Sequence, residues 1–200
     1  EEDGMPKGEL GKMVVSISPS NPQKVYALVE AKKSALLVSN NGGESWETAN
    51  DSRGIANRPY YYMEVLVDPN DEDRLYNIFM MVTKSEDGGK NFENLPGVSC
   101  CSDPNAIHVD NHTMWINPNN SDHMMLGSDG GIAITRDGGD NWRIVANLPV
   151  SQFYHVALDN DMPYNIYGGL QDNGSWRGPS EVWEPEGIRN HHWLEFSMGD

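Results

Sequence analysis

The chain has 200 residues, of which 38% are hydrophobic; this composition suits a soluble domain with a core, and no apolar run is long enough to span a membrane. Fourteen Lys and Arg residues against thirty Asp and Glu residues give a net charge of -16, which repels phosphate backbones and argues against nucleic acid as a partner. The first residues, Glu1 to Gly4, show neither a basic region nor an apolar stretch, so we expect any secretion signal to have been removed.

The two cysteines, Cys100 and Cys101, are neighbours in the sequence. A disulfide between adjacent residues needs a strained ring, so the sequence predicts neither a disulfide framework nor a zinc site of spaced thiols. Two alternatives are left, a pair of partly buried thiols and a redox-sensitive vicinal pair.

One eight-residue pattern occurs three times and divides the chain into repeating units. Each copy has a hydroxyl residue, any residue, Asp or Asn, Gly-Gly, two polar residues and an aromatic residue, as in Ser39–Trp46, Ser85–Phe92 and Thr135–Trp142. The copies start 46 and 50 residues apart, and a second marker, which contains Pro19, Pro69 and Pro118, keeps the same period. Short Asx and hydroxyl side chains bond nearby backbone amides and Gly accepts positive φ, so the pattern predicts a tight hairpin.

Strand signals flank these hairpins at four per unit. In the first unit we predict strands at 13–18, 25–30, 35–39 and 46–49. In the second unit the predicted strands are 61–68, 75–81, 82–85 and 92–95, and in the third they are 112–117, 124–127, 132–135 and 142–145.

A fourth unit begins with predicted strands at 154–159 and 165–169. Its turn, 172–176, is one residue short of the hairpin pattern and is interpreted as a degenerate copy. The segment 193–197 has the pattern of the first strand of a further unit.

Four short strands in about 48 residues are typical of a propeller blade. We therefore predict an all-β fold, a β-propeller of four-stranded antiparallel blades, as one architectural unit over 1–200. The predicted blades are approximately 13–50, 61–96, 108–148 and 154–187, with the start of a further blade at 191–200. Four blades is the lower limit of closed propellers, so we expect the remaining blades to belong to a longer chain. A solenoid or an all-β sandwich is the alternative.

The hairpin pattern resembles the Asp-box, or bacterial neuraminidase repeat, of sialidases, xyloglucan-cleaving glycoside hydrolases and sortilin-type receptor propellers. Asn41 replaces the Asp in the first copy and Phe92 replaces the Trp in the second. Structural roles are expected for the pattern residues Ser39, Asn41, Gly43, Trp46, Ser85, Asp87, Gly89, Phe92, Thr135, Asp137, Gly139 and Trp142.

A narrower resemblance rests on the stretches 108–112, 127–131, 152–155 and 168–174. These stretches are similar to large secreted bacterial proteins of sortilin-like, glycoside-hydrolase-like type. The resemblance implies a secreted or cell-surface protein and says little about its chemistry.

In a propeller the first strand of each blade lines the central channel, so residues at the start of these strands meet at one channel mouth. Alignment on the Pro marker places Arg58, Tyr60 and Tyr62 in this register. Aromatic, imidazole and amide side chains suit a glycan or peptide ligand. The ligand-binding candidates are Tyr61, Tyr154, His155, Gln171, Asn173, His191 and His192.

His108, Asp110 and His112 alternate in sequence, and on an extended segment all three side chains share one face. Two imidazoles and a carboxylate are a plausible ligand set for zinc, and calcium near the acidic loop 68–73 is a second candidate divalent metal. The alternative is that the three side chains hydrogen-bond one another and order the channel mouth.

Glycoside hydrolysis needs two carboxylates about 5 to 10 Å apart. The first candidates are Asp110 and Asp172, and the second candidates are Glu195 and Asp200. Asp172 follows Gln171 in a Gly-flanked turn, and the alternative is that it only caps that turn.

These observations favour a secreted or cell-surface binding module that recognises a glycan or peptide at the channel mouth. One alternative is a glycoside hydrolase of the xyloglucanase-like Asp-box type. The other is a structural propeller in a larger secreted assembly.

Overall fold

The computed structural model describes residues 4–98, 106–148 and 150–198. All strands in these ranges belong to four antiparallel sheets of four strands each. This confirms the prediction of an all-β fold built from four-stranded blades. Cys100 and Cys101 lie outside the described residues. No helix in the described ranges is long and apolar enough to cross a membrane.

The strands of each sheet follow one another in chain order. The first sheet contains β1 (Leu10–Ile17), β2 (Val25–Ala31), β3 (Ala35–Ser39) and β4 (Glu47–Asn50), and the second contains β5 (Glu64–Asp68), β6 (Asp71–Ile78), β7 (Val82–Ser85) and β8 (Glu93–Asn94). The third contains β9 (Asn111–Asn117), β10 (Asn120–Ser128), β11 (Gly131–Thr135) and β12 (Arg143–Ile144), and the fourth contains β13 (Phe153–Leu158), β14 (Asn165–Leu170), β15 (Ser175–Pro179) and β16 (Leu194–Ser197). The sheets fall into two compact units, Glu1–Ile144 with the first three sheets and Val145–Asp200 with the fourth.

The three Gly-Gly hairpins join the third and fourth strands of the first three sheets and share one hydrogen-bond pattern. In the second sheet, the Ser85 hydroxyl donates to Asp87 Oδ1 at 2.9 Å and accepts the Gly89 N–H at 2.9 Å, while the Asn91 N–H donates to Asp87 Oδ1 at 2.9 Å. Thr135, Asp137, Gly139 and Asn141 repeat these bonds in the third sheet. Local side-chain bonds therefore hold each turn, as the residue pattern requires.

Each hairpin of the second and third sheets also packs on the preceding sheet. A Cβ added to Gly89 would lie 2.5 Å from Leu36 Cδ2 in the first sheet, and one added to Gly139 would lie 2.9 Å from Leu95 Cδ1 beside the second sheet. Both glycines have positive φ, 83° and 101°. Glycine is required at these positions by the turn and by the close approach of the neighbouring sheet.

Two apolar clusters lie between successive sheets of the first unit. Tyr26, Leu28 and Leu36 of the first sheet meet Val65 and Val67 of β5 in one cluster. The second cluster joins the second and third sheets, and its members include Tyr76, Ile78, Met114, Ile116, Met124 and Leu126. Burial of each large aliphatic side chain stabilises the fold by about 1.5–3 kcal/mol, so the interfaces between the sheets form the core.

Polar contacts join the same sheets at the ends of the strands. Lys24 forms ion pairs with Glu72 and Asp73 of the second sheet. The buried Asp68 carboxylate accepts the Ser121 hydroxyl at 2.6 Å and faces Arg74 at 3.4 Å. Asp68, which opens the acidic loop considered for calcium, therefore uses its oxygens to bind protein donors.

The first strand of the second sheet is shorter than predicted. Strand β5 begins at Glu64 because the preceding residues form a turn, in which the Tyr61 and Tyr62 N–H groups both donate to the Arg58 carbonyl at 2.9 and 3.0 Å. The aromatic residues that the sequence assigned to a strand thus lie on a loop.

The fourth sheet corrects two predictions. The segment 193–197 does not begin a further blade, because β16 pairs with β15 through Trp176↔Glu195 and completes the fourth sheet. The turn 172–176 is not a degenerate hairpin copy, because it follows β14 and so joins the second and third strands. The place of the Gly-Gly hairpin is taken by the longer segment 180–193, whose Trp193 ring packs on Gly178.

Candidate functional site

A loop with three consecutive tyrosines precedes β5. Arg58 has a φ of 52°, and its carbonyl accepts two backbone N–H groups, so the loop turns sharply at this residue. The Arg58 Nε donates to the Tyr60 hydroxyl at 3.3 Å. The guanidinium carbon lies 5.8, 5.8 and 5.3 Å from the ring centroids of Tyr60, Tyr61 and Tyr62, within the range of cation–π attraction.

The start of β9 lies beside this loop. The Asp110 and Asn111 N–H groups donate to the Met80 and Phe79 carbonyls at 2.9 and 3.0 Å, which joins β9 to the β6–β7 turn. The Asp129 N–H, in the β10–β11 turn, donates to the Asp110 carbonyl at 3.2 Å. Backbone bonds therefore bring three separate segments to one end of the first unit.

Side chains from the tyrosine loop, the start of β9 and the β10–β11 turn meet in one cluster. The His112 ring contacts Tyr61 edge to face and Tyr62 at a tilt, with centroid distances of 5.4 and 5.3 Å. Its Nε2 lies 2.9 Å from Asp129 Oδ1. Burial and a hydrogen bond to Asp110 raise the pKa of the Tyr62 hydroxyl above its ordinary value. We call Arg58, Tyr60, Tyr61 and His112 the tyrosine surface, which the more buried Tyr62, Asp110 and Asp129 support.

Asp110 is the candidate catalytic carboxylate of this cluster. Its φ is 65°, and its Oδ1 is buried with no hydrogen-bond partner among the described residues. Such an oxygen is exceptional in a folded protein, because burial without a donor costs free energy. The left-handed φ and the buried Oδ1 distinguish Asp110 within this cluster.

The structure does not form the predicted metal-ligand set of His108, Asp110 and His112. The left-handed φ of Asp110 interrupts the extended backbone, and β9 begins only at Asn111, so the alternation that would place all three side chains on one face does not apply. His108 Nδ1 instead lies 2.6 Å from the Val109 carbonyl, and His112 Nε2 binds Asp129.

The second unit repeats part of this arrangement at the start of β13. The Gln171 N–H donates to the Gln152 carbonyl at 3.0 Å, as the Asp129 N–H does to Asp110. The turn that carries Gln171, Asp172 and Asn173 therefore adjoins the strand that carries Tyr154 and His155. Asp172 has a φ of 57°, and the Asn173 Nδ2 donates to the Gln171 carbonyl at 2.6 Å.

Asp110 belongs to the first unit and Asp172 to the second, and their action as a catalytic pair stays a prediction. Asp200, a further candidate carboxylate, lies outside the described residues. Glu195 lies on β16, next to the turn that carries Gly174.

His191 and His192 are not at the start of a channel-lining strand. They lie in a 3-10 turn, Asn190–His192, before β16, which is at the opposite edge of the fourth sheet from β13. The prediction that they face the channel mouth is wrong, because it depended on a further blade beginning there.

These two histidines and Glu184 form the one group of three potential metal ligands that the described ranges contain, with donor atoms within 4.8 Å of one another. The Arg189 N–H donates to His192 Nδ1 at 2.9 Å, so the neutral ring carries its proton on Nε2, 3.2 Å from Glu184 Oε1. A proton on Nε2 blocks that atom as a metal ligand. The three side chains are instead linked by hydrogen bonds, because both histidine rings face Glu184 Oε1 within the segment 180–193.

Sequence reasoning missed Asp129 as a member of the candidate site. The sequence feature that could have indicated Asp129 is the similarity of 127–131 to 168–174. Both stretches contain a glycine-containing turn that follows the second strand of a sheet. In each case the residue after that strand bonds the residue before the first strand.

No protein-family model matches the chain. The chain is 16% identical to the GH74 enzyme of Niastella koreensis, with a TM-score of 0.52 over 92% of this chain and 30% of that one. It is 16% identical to the GH74 xyloglucanase from Xanthomonas campestris, with a TM-score of 0.50 over 86% of this chain and 31% of that one. These similarities assign the fold: the chain is a β-propeller segment.

Among curated proteins, an oligoxyloglucan-reducing end-specific xyloglucanase of Emericella nidulans is 27% identical over 139 residues, which cover 60% of this chain and 17% of that protein. The chain thus spans less than a third of each of these three proteins. The structural similarity assigns the β-propeller fold, and the sequence similarity is to one part of a xyloglucanase.

Proposed function

We propose that the chain is part of a secreted or cell-surface bacterial Asp-box propeller, of sortilin-like and glycoside-hydrolase-like type, that binds a glycan at the tyrosine surface. The observation that carries the proposal is the grouping of exposed aromatic rings with one cation: the exposed fractions of Tyr60 and Tyr61 are 77% and 47%, beside Arg58 and His112. Tyrosine rings stack on the apolar faces of sugars, and their hydroxyls bond sugar hydroxyls. The xyloglucanase named above supports a glycan over a peptide.

The test is binding of soluble polysaccharides to the purified protein by calorimetry, with the variants Tyr60→Ala and Tyr61→Ala. We expect each variant to lose about fivefold to tenfold in affinity, because each removes one stacking ring. Tyr164→Ala, which removes an exposed tyrosine of the second unit, is the control and should bind as the parent does. A folded protein that binds no glycan would contradict the proposal.

Hydrolysis is the second candidate function. Two observations favour it, the xyloglucanase relationship and the buried, unpaired Oδ1 of Asp110. The enzyme would use Asp110 and Asp172 as its two carboxylates. Release of reducing ends from xyloglucan would establish hydrolysis if Asp110→Asn and Asp172→Asn abolished it in proteins of unchanged fold. Binding without hydrolysis would support the binding module instead.

The remaining blades of the propeller are a proposed partner of the first sheet. Val15 and Ile17 stand four and two residues before Pro19, as Val65 and Val67 stand before Pro69. Val65 and Val67 are 5% and 2% exposed because the first sheet covers them, whereas Val15 and Ile17 are 60% and 57% exposed. This apolar face matches a preceding blade of the same kind.

A further inference from the structure

We propose that the glycan bound at the tyrosine surface is acidic and that Arg58 binds its carboxylate, as in a hexuronate residue. The inference rests on the proposed function and names the ligand class of that site. It is carried by the position of one guanidinium, by the pairing of the acids around it, and by the exposed rings beside it.

The backbone and the rings hold Arg58 in place before any ligand arrives. Its carbonyl accepts the Tyr61 and Tyr62 N–H groups, and its Nε is bonded to the Tyr60 hydroxyl. The guanidinium lies against three tyrosine rings at 5.3 to 5.8 Å. A guanidinium that is already ordered loses less conformational entropy when it binds a ligand.

The acids of the cluster are used by other groups. The Asp110 carboxylate accepts a hydrogen bond from the Tyr62 hydroxyl, and its Oδ1 is buried. The Asp129 carboxylate is hydrogen-bonded to His112. No carboxylate of the described residues lies within ion-pair distance of Arg58, although the chain has 30 acidic residues against 14 basic ones. The Asp110 charge acts on Arg58 from beyond ion-pair distance, so the guanidinium has no direct carboxylate partner among the described residues.

The free edge of the guanidinium determines the chemistry of the ligand. With Nε committed to Tyr60, the two terminal nitrogens remain to donate to a planar, two-oxygen acceptor, and a carboxylate matches that fork. A sugar ring stacked on Tyr61 would carry its carboxylate to Arg58, since the guanidinium and that ring are 5.8 Å apart. An acidic sugar thus uses both features of the surface, whereas a neutral sugar uses only the rings.

The matched ligands for the test are glucuronoxylan oligosaccharides and the same oligosaccharides with the carboxyl group reduced to the alcohol. Calorimetry at about 0.15 M salt keeps the screening length near 8 Å, so that the remote charges of the -16 chain contribute little. We expect the acidic form to bind about tenfold more tightly than the reduced form.

Arg58→Gln should abolish this preference, because both oligosaccharides would then bind through the rings alone. Arg58→Lys should retain part of the preference, since the charge stays and the fork is lost. Arg53→Gln is the matched control, because Arg53 is an exposed arginine outside the tyrosine surface, and it should keep the full preference.

Equal binding of the two forms by the parent protein, or a preference that survives in Arg58→Gln, would overturn the inference. If Tyr61→Ala still weakened binding in that case, the proposed glycan site would stand without its acidic ligand. If neither form bound to the folded protein, while the neutral polysaccharides did, only the inference would fail; if nothing bound, both proposals would fail.

Discussion

A buried hydroxyl organises each repeat hairpin at the scale of single residues. Ser85 accepts the Gly89 N–H and donates to Asp87, and Thr135 and Ser39 do the same in the other two hairpins. The hydroxyl joins the end of the third strand to the glycine turn, so one small side chain fixes the course of the chain over five residues.

Ser85→Ala tests this role. We expect the free energy of unfolding in urea to fall by about 1–2 kcal/mol, because the substitution leaves the buried Gly89 N–H without its acceptor. Ser52→Ala, at an exposed serine whose side chain makes no such contact, should change stability by less than about 0.5 kcal/mol. Equal effects of the two substitutions would show that the hydroxyl bond contributes nothing.

The carboxylates of the same hairpins predict a response to acid. Donation by Asn91 lowers the pKa of Asp87 to about 2, and donation by Asn141 lowers that of Asp137 to about 2. In the unfolded chain an Asp titrates near pH 3.9. The stabilisation is therefore complete above about pH 4 and is lost as the pH falls toward 2.

An NMR titration of the carboxyl carbons should give midpoints near pH 2 for Asp87 and Asp137. Asp87→Asn should make unfolding less dependent on pH between about 4 and 2, because the titrating group is removed. Midpoints near pH 4 would mean that the hydrogen-bond donors of the hairpin do not stabilise the ionised carboxylates.

Residues whose contacts are local were predictable from the sequence, and those whose partners are distant were not. The hairpins could be predicted because a residue and its partner lie within four positions. The meeting of Tyr61 with His112 followed from the common period of the two units. Asp129 was missed because it lies 17 residues from His112 in the sequence, and the two meet only when the β10–β11 turn folds beside the start of β9.

At the scale of elements, contact between a hairpin and the preceding sheet requires glycine. Gly139 has a φ of 101°, and any added Cβ would meet Leu95 at 2.9 Å. Both effects oppose a side chain, and the hairpin cannot move away without opening the interface between the second and third sheets.

Gly139→Ala should lower the free energy of unfolding by about 1–3 kcal/mol, as judged by thermal and urea denaturation. Gly54→Ala is the matched control, because no atom lies within 4 Å of the added Cβ, and it should be neutral or slightly stabilising. A neutral Gly139→Ala would show that the hairpin is free to shift.

The fourth sheet marks where prediction of elements failed. Three of its strands were recognised by their apolar pattern, whereas β15 was missed because its first residues were assigned to a turn. The sequence also does not say which strand a segment pairs with. The Gly-containing turn at 171–174 resembled the repeat hairpin, although in the structure it joins the second and third strands. Without the Gly-Gly hairpin as a marker, β16 was assigned to a blade of its own.

At the scale of the whole molecule, equivalent positions of the first two sheets differ in burial. Val15 and Val65 occupy the same place in β1 and β5, but only Val65 is covered, by the first sheet. Burial of a charged side chain costs several kcal/mol unless it is paired, whereas an exposed charge costs almost nothing. A charged substitution therefore reports directly whether a blade covers the face.

Val15→Asp should leave the unfolding of the isolated 200-residue chain nearly unchanged, since its side chain is in solvent. In the longer protein that the proposed architecture requires, the same substitution should lower stability by about 3 kcal/mol or more, because a preceding blade would bury the carboxylate. Val65→Asp is the matched control and should destabilise both proteins. If Val15→Asp proved harmless in the longer protein as well, no blade packs on β1, and the chain would have to complete its fold in another way.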